Sequence, residues 1–100
     1  MVLFTPRLRH LVETHVLTFT INTTFAEWSK AYDASLPLQK ASGITHVYRG
    51  VSKGDPTKVC AVMQALPGVM DDFIANNAEV IAASGHVLES TVAQVFLDNA

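Results

Sequence analysis

Between Thr14 and Asn22 the chain reads THVLTFTIN, with Leu17, Phe19 and Ile21 at alternate positions and Val16, Thr18 and Thr20 between them. A two-residue period rich in β-branched and aromatic side chains predicts a strand. The period then changes. Thr24 followed by Glu27 makes a capping box, and Phe25, Trp28, Ala31 and Tyr32 recur at helical spacing. The pattern predicts a helix ending near Ser35, because Pro37 disfavours helical geometry in Leu36. LQKAS is left as a short helical turn that stops at Gly43.

Ile44 to Val51 predicts a second strand, and SKGDPTK carries the glycine, aspartate and proline of a hairpin connection. KVCAVMQAL is the third strand. It is apolar on both alternating faces, Val59, Ala61, Met63 and Ala65 on one and Cys60, Val62 and Leu66 on the other, so both faces are expected to be covered. PGVMDDFIANNAEVIAASG opens with Pro67, places Asp71 and Asp72 in a first turn and ends at Gly85, which predicts one helix. Val69, Met70, Phe73, Val80 and Ile81 are its expected buried stripe. The last strand lies within HVLESTVAQVFL. The order β-α-β-β-α-β predicts an α+β, ferredoxin-like fold, a four-stranded antiparallel sheet with both helices on one face.

One hundred residues make one domain, expected over residues 12–100 after an N-terminal arm at 1–11. With 49% hydrophobic and 16% charged residues, the chain is apolar for its size. Helices on one side leave the second sheet face bare, so a homodimer through the open sheet face is expected, the arrangement of a dimeric α/β barrel. A net charge of −2 argues against nucleic acid and anionic membrane as partners, and the one basic cluster, Pro6-Arg7-Leu8-Arg9-His10, reads as a solvated arm. No apolar run reaches the length of a membrane span, and MVLFTPRLRHLVE has its charges after a short apolar run, the reverse of a secretory signal. The single cysteine, Cys60, excludes an intrachain disulfide and leads us to expect the cytoplasm.

The segments VLTFTINTTFAEW, YRGVSKGDPTKV and the SGH before the last strand resemble a family of short proteins of unknown function from marine bacteria and cyanobacteria, from about Val12 to the end. At superfamily level the arrangement is similar to the dimeric α/β-barrel proteins. These include cofactor-independent antibiotic-biosynthesis monooxygenases, haem-degrading monooxygenases and stress-response proteins. The resemblance implies a fold and no activity. Members of the family begin about where Val12 lies, so residues 1–11 are expected to be a start-site extension. Haem degradation in the superfamily needs a helix-borne histidine ligand, and neither predicted helix has one.

The histidines, His10, His15, His46 and His86, show no HxH, HExxH or mixed Cys/His spacing, so no metal and no cofactor are expected. His15 and His46 begin two strands separated by a third, roughly 10 Å apart, and His86 is expected to begin the last strand at the opposite end. Cys60, in mid-strand, reads as a small hydrophobe. Asn76 and Asn77 read as exposed helix residues, and Gly50, Gly54 and Gly68 form no phosphate loop.

What remains is the space between helices and sheet. Trp28 and Tyr32 would line it from one helix face, with His46 and Tyr48 alternating onto one face of the second strand and His86 at a rim. Imidazole and phenol groups in an apolar cavity suit an aromatic or enolisable ligand, although aromatics at helical spacing are also ordinary core. Arg49 alternates away from His46 and Tyr48 and is expected to pair with an acid across a strand or dimer interface. The leading reading is a cytoplasmic homodimer of unknown role holding a small apolar ligand. The alternatives are a cofactor-independent monooxygenase or isomerase with His46 or His86 as proton acceptor, and a non-catalytic structural or regulatory interaction module.

Overall fold

The computed structural model of the protein describes residues 11–98. The expected arm, Leu11 apart, and its basic cluster lie outside the described residues. The elements are β1 (Glu13–Thr20), α1 (Phe25–Ala41), β2 (Thr45–Val51), β3 (Lys58–Ala65), α2 (Val69–Asn76), α3 (Ala78–Ala83), a 3-10 turn (Leu88–Ser90) and β4 (Val92–Leu97). The strands form one sheet in the order β2-β3-β1-β4, with every neighbouring pair antiparallel. This is the ferredoxin-like arrangement.

Alternation decides which face is buried. Leu17, Phe19 and Ile21 from β1 and its end join Val59, Ala61, Met63 and Ala65 of β3 beneath the helices. Phe19, Ile21 and Val59 are almost wholly inaccessible, and the burial of each contributes about 1.5–3 kcal/mol. The opposite face is half-covered at Val16, Cys60 and Val62 and open at Tyr48, Val92 and Phe96. The third strand is therefore buried on one face only within the monomer.

Four local features depart from expectation. First, α1 does not end near Ser35 but continues through Pro37 to Ala41. Pro37 removes the helical partner of the Asp33 carbonyl, a defect of about 3 kcal/mol in a helix interior. Both residues lie on the exposed face, where water reaches that carbonyl. The apolar stripe meanwhile runs on to Gln39, and the helix closes firmly: Ile44 N–H donates to Gln39 O at 2.9 Å across Gly43, which holds φ 90°.

Second, the stretch from Pro67 to Gly85 is two helices, not one. Asn77, at φ −125° and ψ 21°, leaves the helical region, and its side-chain Nδ2 donates to Phe73 O at 2.8 Å. The Phe73 carbonyl also keeps its helical bond from Asn77 N–H at 3.0 Å, so α2 is closed by its regular last bond and the side-chain contact together. Of the expected buried stripe, Val80 on α3 is 61% exposed, whereas Met70 on α2 is buried.

Third, β2 carries a bulge between His46 and Tyr48. His46 pairs with Met63, Tyr48 with Val62 and Arg49 with Ala61. The extra residue, Val47, shifts the alternation, so His46 and Arg49 share the helix-facing side and Tyr48 points to the open face.

Fourth, His86 does not begin β4. It forms an isolated bridge with Ile21, held by Asn22 N–H to Gly85 O and Val87 N–H to Thr20 O, and the 3-10 turn intervenes before Val92.

Candidate functional site

The helix-sheet interface does not close. A cavity of about 460 Å³ lies between α1, α2, α3 and the sheet, floored by Leu17, Ala61 and Met63. That is about three times the ~150 Å³ cavity that accepts a single benzene ring, and it falls in the range of small-molecule sites. Among the described residues no helix is long and apolar enough to span a membrane, and no three His, Cys, Asp or Glu side chains cluster to hold a metal ion.

One wall is written into α1. Residues 28, 32, 35 and 39, spaced four, three and four apart, fall on one face of a helix. Trp28 and Tyr32 stack at 4.9 Å between ring centroids, and Phe19 meets Trp28 at 5.6 Å. Further along, Ser35 Oγ donates to Tyr32 O at 2.7 Å, which commits its only proton. It can therefore only accept from Gln39, whose Nε2 lies 2.9 Å away. This fixes the amide orientation and leaves Gln39 Oε1 buried with no hydrogen-bond partner among the described residues.

At another part of the wall His86 stacks on Phe19, with centroids 3.7 Å apart and planes 4° from parallel, and its Nε2 lies 2.6 Å from Thr91 Oγ1. Burial lowers its pKa to about 4, so the ring is neutral at pH 7.

The Tyr32 hydroxyl points away from His86 toward β2, sharing a 2.8 Å hydrogen bond with His46 Nδ1. Burial raises its pKa, opposed by the nearby Gln39 amide and the Arg49 charge. Arg49 sits 5.6 Å over the Tyr32 ring and grips Asp33 with both ends of its guanidinium. The hydrogen bond from Arg49 is the main reason the Asp33 carboxyl titrates below its ordinary value.

Of the five residues singled out in the sequence, Trp28, Tyr32 and His86 line the cavity. His46 stands behind the wall on the exposed side of Tyr32, and Tyr48, 54% exposed, is on the opposite sheet face. Arg49, assigned there to a different face, belongs with His46, and its acid is Asp33 on α1 of the same chain. Sequence reasoning missed Gln39 and Asn77 as lining residues. The 28-32-35-39 spacing would have found Gln39 had Pro37 not ended the predicted helix; Asn77 carried no such signal.

A family model with the description Domain of unknown function (DUF3764) matches residues 12–98. The chain belongs to this family. No curated protein matches it. Among solved structures, a Bordetella bronchiseptica protein provisionally named an antibiotic biosynthesis monooxygenase is similar, with TM-score 0.68, 14% identity and coverage of 89% of this chain and 98% of the other. A variant of SnoaB, a cofactor-independent oxygenase from Streptomyces nogalater, has TM-score 0.63 and 12% identity over 90% of this chain and 95% of its own. A Shewanella oneidensis protein has TM-score 0.61 and 16% identity over 89% and 92%. At such identities the likeness is one of fold.

Proposed function

We propose that this member of the family is a homodimer that binds a small, planar, largely apolar ligand between helices and sheet. The cavity carries this reading, because a mostly apolar cleft of this volume that reaches the surface has the size and character of small-molecule sites. A space of about 460 Å³, walled by a stacked Trp28–Tyr32 pair and with few polar groups, is suited to fused aromatic rings. The dimer would form through the open sheet face, where Tyr48, Val92 and Phe96 are each more than half exposed. Half-buried Cys60 on that face is compatible with a reducing cytoplasm.

Trp28 is the only tryptophan, so its fluorescence reports the cavity wall directly. Titration with two- and three-ring aromatic compounds should quench Trp28 emission with a saturable 1:1 stoichiometry per chain. A flat response across such a panel would refute the binding reading.

The fold shared with a cofactor-independent oxygenase favours a second reading, a monooxygenase or isomerase acting without cofactor. His86 is a poor base for it. Burial lowers its pKa to about 4, which weakens it as an acceptor for a phenol proton. The geometry favours His46 as the acceptor, its Nδ1 lying 2.8 Å from the hydroxyl of Tyr32, a residue of the cavity wall. Oxygen uptake on addition of a bound ligand, lost in His46→Ala while Trp28 quenching survives, would establish this reading over simple binding.

A further inference from the structure

The bulge in β2 places a polar chain between the cavity and water. Tyr32 is 8% exposed and forms part of the cavity wall, His46 is an exposed residue outside it, and 2.8 Å separates the hydroxyl from Nδ1. The two rings meet edge to face at 5.4 Å between centroids. Arg49 lies over the Tyr32 ring, held there by Asp33 and by its contact with Ser29 O at 3.5 Å. The guanidinium, 5.6 Å from the centre of the Tyr32 ring, partly opposes the rise that burial imposes on the phenol pKa.

We infer that Tyr32 and His46 form a proton relay that carries a proton between a weakly acidic phenolic or enolic ligand in the cavity and bulk water. In the outward direction the ligand O–H bond breaks as its proton passes to the Tyr32 oxygen. The proton of Tyr32 passes at the same time to Nδ1 of His46. The imidazolium then releases its Nε2 proton to water, and the ligand keeps the electron pair as its anion. Grotthuss-type transfer of this kind needs hydrogen-bond reach at each step, which the Tyr32–His46 contact meets. The relay rests on the ligand-cavity reading and specifies its ligand class.

The probe is 1-naphthol, a photoacid whose neutral and ionised forms emit at different wavelengths, so a nearby proton acceptor declares itself in the emission spectrum. At saturating protein, the wild type should show the naphtholate band. Tyr32→Phe, which keeps the ring, and His46→Ala, which alters an exposed side chain, should each reduce that band at least about tenfold. Added imidazole should restore it in His46→Ala and not in Tyr32→Phe. Bound naphthol that emits only as the neutral form in the wild type, or a naphtholate band that persists in both variants, overturns the relay while the cavity reading stands. Absence of binding, read as no Trp28 quenching, overturns both.

Discussion

Acidification offers a direct test of how His86 is held. Its ring lies flat on Phe19 beneath the helices, and burial lowers its pKa from 6.5 to about 4. The depressed value means that the folded protein binds a proton less readily than the unfolded chain, so between those two values the unfolded state takes up protons first. Stability contributed by the neutral ring is thus present above about pH 6.5 and is lost as pH falls toward 4. Full linkage would remove ~2 kcal/mol between pH 7 and pH 5. The ring keeps partial contact with water, and screening reduces the expected loss to ~1 kcal/mol. Urea unfolding at the two pH values, compared between wild type and His86→Asn, isolates this group because the other histidines are common to both proteins. The wild type should lose about 1 kcal/mol more than the variant. Equal losses would show that His86 titrates normally in the folded protein and that its burial has been misread.

Three other perturbations probe the remaining architecture. Gly85 has φ 102°, and an added Cβ would run into the Thr23 side chain, so Gly85→Ala should cost about 2–3 kcal/mol in urea unfolding; a loss below about 0.5 kcal/mol would contradict the geometry. Pro37→Ala returns an N–H to the interior of α1 and should raise stability by about 1 kcal/mol in thermal unfolding; unchanged or lower stability would contradict a helix defect at Pro37. Phe96→Asp puts a charge in the open sheet face, and sedimentation should show a shift from dimer to monomer at micromolar concentration; a wild-type protein that is already monomeric refutes the dimer.

Several elements were determined by local sequence alone. The alternation of Leu17, Phe19 and Ile21, and of Val59, Ala61 and Met63, specifies which side of each strand must leave water, since one residue of slip would expose the whole set. The capping box works as read, with Glu27 N–H donating to Thr24 Oγ1 at 3.1 Å. From those signals the order of strands and helices, and hence the ferredoxin-like fold, could be reasoned without coordinates.

Tertiary structure alone decided the features that shape the site. A bulge needs only a small local energy difference and leaves no periodic trace, so the displacement of Val47 that brings His46 and Arg49 behind Tyr32 was invisible in HVYRG. The survival of α1 through Pro37 reflects burial of its inner stripe outweighing a local defect on the exposed face, a balance struck between elements distant in sequence. Asn77 could equally have been a surface helix residue; its departure from helical dihedrals divides the predicted second helix into α2 and α3, and Asn77, Val80 and Ile81 all line the cavity. The periodicity of the chain thus specified its layers, while the space between them was set by three local irregularities whose outcomes depend on long-range packing.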